Sequence, residues 1–200
     1  MILALDTSTA ACTAALFDGS GDCVARADEV IGRGHSERLV PMIGELLAGR
    51  SADQILVGVG PGSFTGIRVG IAAAQGMAIG WGIDLAGMSS LALLAAGAPE
   101  QKLAVAVIGG HGELFVREFE GGKPVSELRN LPPSAAAAAT SSSLVVGSGA
   151  RQLVDVRGWG EAREAFPSAS DALRLPETSR TLPPKPVYAR APDARAKEAA

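Results

Sequence analysis

Seven residues, Gly60-Pro61-Gly62-Ser63-Phe64-Thr65-Gly66, carry the strongest chemical signal in the chain. They lie between a short β-rich run and a long Ala/Gly-rich helix. Free N–H groups and the positive end of a helix dipole at such a place can hold an anion. The loop lacks the Lys-Ser/Thr pair of a phosphate-binding P-loop and is not a dinucleotide fingerprint. Its glycines could equally make a tight turn that seats the helix closely. A second cluster, Asp6-Thr7-Ser8, follows the first β-rich run. A carboxylate with two hydroxyls can face a Mg²⁺–phosphate group, or it can close a turn on nearby backbone N–H groups.

The remaining reactive side chains assemble into nothing by spacing. His35 and His111, the two histidines, read as surface or loop residues. Cys12 and Cys23 form neither a metal spacing nor a disulfide framework, and they suit a reducing cytosol. Ser63 has no assigned base. The sequence therefore predicts no catalytic residue and no metal site in this chain.

These residues need a scaffold, and 200 residues with 47% hydrophobic content supply core for one large domain or two small ones. Aromatics are only 4%, so Val, Leu, Ile and above all Ala must fill that core. A net charge of −3 argues against a protein that grips a phosphate backbone unaided. The tail sets Lys185, Arg190, Arg195 and Lys197 against Asp193 and Glu198 and reads as a solvated end. The start, Ile2-Leu3-Ala4-Leu5-Asp6, is not expected to be a signal peptide. A membrane span over 66–97 is not expected, because Arg68, Gln75, Asp84 and many glycines break it.

Strands are expected at 2–6, 12–17 and 23–27, with a hairpin signal at Asp18-Gly19-Ser20-Gly21. A helix follows, in which Leu39, Ile43, Leu46 and Leu47 fall on one stripe. Ser36 is its expected N-cap, Gly49 its stop, and Pro41 predicts a bend or a ragged first turn. Next come a strand at 55–59, a helix from Gly66 to about Trp81, a strand at 85–88 and a helix capped by Ser89 or Ser90. The pattern then restarts with strands at 103–108 and 113–118 around Gly109-Gly110-His111-Gly112, a weak internal repeat. Residues 135–139 are low-complexity, and 144–146 a short strand.

The string Gly60 to Gly70, with Ile67-Arg68-Val69-Gly70 after the loop, resembles the signature of the TsaB (YeaZ) family. So do Ile2-Leu3-Ala4-Leu5-Asp6-Thr7-Ser8 and His35-Ser36-Glu37-Arg38-Leu39-Val40-Pro41. Fainter echoes are Val146-Gly147-Ser148-Gly149-Ala150 and Pro186-Val187-Tyr188-Ala189-Arg190. The resemblance implies an α/β chain with the actin-like ATPase (ASKHA) fold: two related lobes, with mixed sheets flanked by helices, the second lobe reduced. The lobes are expected at 1–100 and 101–200. It also implies a cytoplasmic, non-catalytic subunit of the complex that adds a threonylcarbamoyl group beside the anticodon of tRNAs reading codons that start with A. The expected partners are a TsaD-type transferase paralogue, a TsaE-type ATPase, tRNA only through the complex, and a second copy when alone.

Setting the loops in register with that paralogue places its two metal-binding histidines at Ser90 and Leu94 here, neither of them a suitable ligand. Asp6, Thr7, Ser8, Gly60, Gly62 and Ser63 are the expected nucleotide-proximal residues. No cofactor is expected for the chain itself, with ATP or ADP at a site shared with partners. The turn 109–112 lacks the carboxylate of a second phosphate hairpin and departs from the family. Family members pair through the two helices of the first lobe, so Ser36, Leu39, Ile43, Gly66, Arg68, Gly70, Ala73, Ala74 and Met77 are the candidate interface. The small-residue stripe Gly66, Gly70, Ala74 could instead pack on the chain's own sheet. Arg68, a cation in the first turn of its helix, could meet a partner carboxylate, a phosphate or a structural acid. The competing readings are an autonomous small-molecule kinase or ATPase of the same fold and, more remotely, a metallopeptidase.

Overall fold

The computed structural model describes residues 1–98 and 100–188. The chain opens with β1 (Ile2–Asp6), β2 (Ala11–Phe17) and β3 (Cys23–Val30) as an antiparallel meander. β1 and β2 are apolar on both faces and almost wholly buried, whereas β3 is exposed or half-buried along its length. That contrast places β3 at the sheet edge, where charged residues such as Arg26, Asp28 and Glu29 protect it from stray pairing. After α1 (His35–Leu47), β4 (Gln54–Gly58) pairs parallel with β1. After α2 (Phe64–Trp81), β5 (Asp84–Met88) pairs parallel with β4. The strand order is β3-β2-β1-β4-β5.

Helix α3 (Ser90–Ala96), capped by the Ser89 side chain, leads into a second mixed sheet. β6 (Lys102–Ile108) and β7 (Leu114–Glu120) form a hairpin, extended by the short β8 (Lys123–Pro124) and β9 (Arg129–Leu131). α4 (Pro133–Ala139), β10 (Leu144–Val146), α5 (Ala150–Arg157) and β11 (Glu161–Arg163) complete it, with β10 parallel to both β6 and β11. The order β11-β10-β6-β7-β8 repeats that of the first sheet. Its helices are shorter: α4 and α5 have 7 and 8 residues, against 13 and 18 in α1 and α2. The second lobe keeps the topology but has less helix to cover it.

One core joins the two sheets, with Leu91 and Leu93 of α3 among Ala4, Leu56, Leu103, Val105 and Phe119. A 3₁₀ segment, Ala169–Arg174, packs into the same core. The chain then returns to the first sheet through α6 (Glu177–Arg180), and Leu182 bridges Gly87 beside β5.

Local departures from the sequence reading have physical causes. α1 starts at His35, with Gly34 as N-cap in the left-handed conformation at φ 90. Ser36 is thus already helical, and its hydroxyl donates to Glu37. The helix runs through Pro41, whose ring lies on the exposed side. α1 ends at the left-handed Ala48, with Gly49 also at positive φ. The low-complexity stretch is helix α4, since Pro133 suits its first turn and alanine is the best helix former. β3 continues to Val30, beyond the expected end at Ala27, because β2 pairs with it that far. Part of the tail reading, including Arg190, Arg195 and Lys197, lies outside the described residues.

Candidate functional site

The Asp6-Thr7-Ser8 turn and the glycine loop are one structure. Asp6 is fully buried, and its Oδ1 accepts from Ser8 N–H and Ser8 Oγ, both at 2.7 Å. Its Oδ2 accepts from Ser90 Oγ at 2.5 Å. Thr7 Oγ1 donates to the Gly66 carbonyl at 2.7 Å, and Ser63 N–H donates to the Ser8 carbonyl at 2.6 Å. A Cβ at Gly58 would lie 1.9 Å from Asp6 Oδ2, at Gly62 2.0 Å from the Ser8 carbonyl oxygen, and at Gly66 2.1 Å from that of Thr7. At Gly70 it would lie 2.6 Å from Thr7 Oγ1. Glycine every fourth residue from 58 to 70 therefore lets the loop and the first turns of α2 close on the end of β1. Ser63 caps α2, accepting from Gly66 N–H at 3.2 Å.

Burial pushes the Asp6 carboxyl above the ordinary carboxylate range, although bonds from Ser90 and Ser8 and the neighbouring His35 act the other way. All three donors to Asp6 come from the protein itself. Asp6, Thr7 and Gly60 sit behind the surface, while Ser8, Gly62 and Ser63 reach the cleft described next.

That cleft, about 1400 Å³, opens between the two lobes. Ser8, Arg33, Ser36, Phe64 and Arg68 line its first-lobe side, and His111, Glu113, Asn130, Glu164 and Phe166 the other. Arg68 has no ion-pair partner among the described residues. Its guanidinium lies 3.2 Å from the centre of the Phe64 ring and 5.4 Å from that of Tyr188. Of the three candidate partners for Arg68, a structural acid within the described residues is not the one it meets; it stacks on rings instead. The two rings are 5.8 Å apart, although 124 positions separate the residues in sequence; both belong to segments that resemble the family. Val187 N–H donates to the Val59 carbonyl at 2.8 Å and holds that end of the chain at the cleft. No spacing in the sequence announces the pairing, or the parts of Asn130, Glu164 and Phe166.

The interface candidates separate by burial. Leu39, Ile43, Gly66, Gly70 and Ala74 are buried within the chain, packed with Leu3, Leu5, Val57 and their neighbours. The stripe Gly66, Gly70, Ala74 thus packs on the chain's own sheet and is not an external face. Ser36 and Arg68 are exposed, Ala73 and Met77 half-buried. Turned away from the sheet are Val40 and Gly44 of α1 and Ala72, Gly76, Ile79 and Gly80 of α2. Ile79 is 83% exposed and Val40 58%.

His35, expected at the surface or in a loop, is buried at the start of α1 with Nε2 3.2 Å from the Ala11 carbonyl oxygen. Leu94 is buried in the shared core. Among the described residues no group of three or more His, Cys, Asp or Glu could hold a metal ion, and no helix is long and apolar enough to cross a membrane.

A family model described as TsaD, tRNA N6-adenosine threonylcarbamoyltransferase, matches residues 28–128, half of the chain. The tRNA threonylcarbamoyladenosine biosynthesis protein TsaB of Escherichia coli K12 is 39% identical over 129 residues, 60% of this chain and 54% of that protein. The solved YeaZ of Pseudomonas aeruginosa superposes with TM-score 0.80 at 29% identity, over 94% of this chain and 99% of that one. A second Pseudomonas aeruginosa structure, of a protein described as similar to peptidase YEAZ, gives TM-score 0.78 at 31% identity with the same coverage. The chain belongs to the TsaB (YeaZ) family. It spans about half the length of the curated TsaB relatives it matches. The activator of 2-hydroxyisocaproyl-CoA dehydratase from Clostridium difficile shares the fold alone, at TM-score 0.51 and 11% identity. The TsaB-family chain thus has the actin-like ATPase fold, and the curated TsaB relatives it matches are described as tRNA threonylcarbamoyladenosine biosynthesis proteins.

Proposed function

We propose that this chain is a non-catalytic partner subunit that binds and activates a TsaD-type transferase in forming threonylcarbamoyladenosine on tRNA. The observation that supports this reading is the outward face of α1 and α2, where Val40, Ala72, Gly76, Ile79 and Gly80 expose apolar and small side chains. Small residues let another helix approach closely, and an apolar face of this kind loses unfavourable hydration when covered. A second contribution comes from Ser90 and Leu94. The first is engaged with Asp6 and the second is core, where the resemblance sets the transferase's metal ligands. In this reading the chain works in the cytoplasm, meets tRNA through the complex, and pairs with itself through the same face when alone. A TsaE-type ATPase and an ATP or ADP at a joint site complete the assembly.

Co-expression with the organism's TsaD-type protein tests the proposal. The wild-type chain is expected to co-purify with it and to be required for modification in a reconstituted assay. Ile79 and Val40 are exposed and lie outside the buried clusters, so Ile79→Asp and Val40→Asp should fold, yet lose association. Undiminished capture by both variants would remove the face from the proposal. Turnover of MgATP by the purified chain would support the kinase reading in its place.

A further inference from the structure

We propose that Arg68 sets the register and direction of the partner subunit on the outward face of α2, by taking a carboxylate of that subunit. This rests on the partner role proposed for the chain. Phe64, Arg68, Ala72, Gln75 and Ile79 of α2 are all exposed. Their spacing puts them on one stripe of a 3.6-residue helix. At 1.5 Å of rise per residue, Arg68 and Ile79 stand roughly 16 Å apart along it. The sequence has no charged residue between Arg68 and Asp84. Gly76 and Gly80, beside the stripe, are exposed too. On α1, the exposed Glu45 is answered by Arg38. The α2 stripe is therefore neutral along its length, with a single cation at one end.

That cation is oriented before anything binds. The Arg68 guanidinium lies over the Phe64 ring and near that of Tyr188, and it makes no hydrogen bond or ion pair among the described residues. Rings take up the faces of a guanidinium and leave its N–H edge to a planar, bidentate anion, with little further loss of side-chain freedom. A cation near the start of a helix is also disfavoured by the dipole, and an acid from outside would offset that. A carboxylate suits the place better than a nucleic-acid backbone. The chain has a net charge of −3, and Glu113 and Glu164 line the facing wall of the cleft, so a polyanion would be repelled. One ion pair at the end of a neutral contact supplies direction. A partner helix can lie along the stripe in two senses, and only one brings its acid to Arg68. The matching surface is an apolar helix face with an Asp or Glu at one end.

Binding of the purified chain to the organism's TsaD-type protein, measured by biolayer interferometry at low and high salt, tests the assignment. Wild-type affinity is expected to fall as salt is raised. Arg68→Ala should bind about tenfold or more weakly, and with less dependence on salt. Arg68→Lys should lose part of the affinity, since an ammonium neither stacks nor forks in the same way. Arg68→Glu should bind more weakly than Arg68→Ala, and reversing one carboxylate of the transferase to arginine should restore it. Thermal melts identify the folded variants; should Arg68→Ala not fold, Arg68→Lys and the salt dependence of the wild type still decide. Unchanged affinity in the folded variants, or wild-type binding indifferent to salt, would overturn the role of Arg68 and leave the partner reading standing. No binding by the wild-type chain would overturn both. Binding of tRNA by the chain alone, lost in Arg68→Ala, would assign the fork to a phosphate and overturn the carboxylate.

Discussion

Ser90 Oγ donates to Asp6 Oδ2 at 2.5 Å and accepts from the Gly60 N–H at 3.1 Å. One hydroxyl therefore joins the end of β1, the glycine loop and the start of α3, all in the buried interior. Ser90 N–H adds a bond to the Gly60 carbonyl at 3.1 Å. Its place in the fold serves to hold a carboxylate in the core.

Ser90→Ala should destabilise the chain by about 1–3 kcal/mol, because it strips a donor from buried Asp6 and an acceptor from Gly60. Urea denaturation followed by circular dichroism measures it. Ser90→Thr, which keeps the hydroxyl, should recover part of the loss. A Ser90→Ala variant as stable as wild type would mean that the network contributes nothing net.

The Asp6 carboxyl has a folded-state pKa raised chiefly by burial. The folded chain holds this proton more tightly than the unfolded one, whose value is about 3.9. The group's stabilising contribution is fully present below that value and is lost as pH rises through the raised folded pKa. Asp6→Asn removes the titration. The stability of Asp6→Asn relative to wild type should therefore shift in the variant's favour as pH rises from about 4 towards neutrality. Denaturation midpoints of both proteins across that range decide it, and a difference constant with pH would contradict the expectation.

Two glycines of one segment should respond in opposite directions to alanine. At Gly62 the new Cβ would fall 2.0 Å from the Ser8 carbonyl oxygen, so Gly62→Ala should cost roughly 1–3 kcal/mol or more. At Gly76, exposed and within α2, the Cβ meets nothing within 4 Å. There the gain in helix propensity should stabilise by about 0.4–1 kcal/mol. Thermal melts of the two variants give the comparison, and equal effects would show that the loop accommodates a side chain.

The two thiols should differ sharply towards a labelling reagent at neutral pH. Cys12 is buried, and desolvation pushes its thiol up to about 11. Cys23 is exposed, its thiol also raised by partial desolvation. Mass spectrometry after alkylation should find Cys23 modified first and Cys12 only at the rate of unfolding. Rapid labelling of Cys12 in the native protein would show that the β2–α1 packing opens readily.

Much of the layout was legible. The strands of both hairpins, the 3.6-residue stripe in α1 and the glycine loop follow from local pattern, and each was found within a few residues. The helix in 133–139 is not legible in the pattern because an alanine run carries no amphipathic period, although its propensity is high. The Ser36 hydroxyl makes that residue the natural cap by type, whereas the chain uses Gly34, whose glycine backbone adopts φ 90 without strain. The site was less legible, since Phe64 and Tyr188, or Asp6 and Ser90, meet only across the fold.

The sequence by itself determined the elements, their order, the family resemblance and the lack of a metal spacing, because these depend on residue type and on neighbours a few positions away. Tertiary structure decided which side of α2 is spent on the chain's own sheet, and that Asp6 is held by Ser90 in the core. It also decided that Arg68 rests on two rings at the mouth of a cleft. The physical reason is that a repeat of small residues every fourth position describes a face that packs closely, but not what it packs against. Only the folded backbone, with Thr7 set between Gly66 and Gly70, assigns that partner.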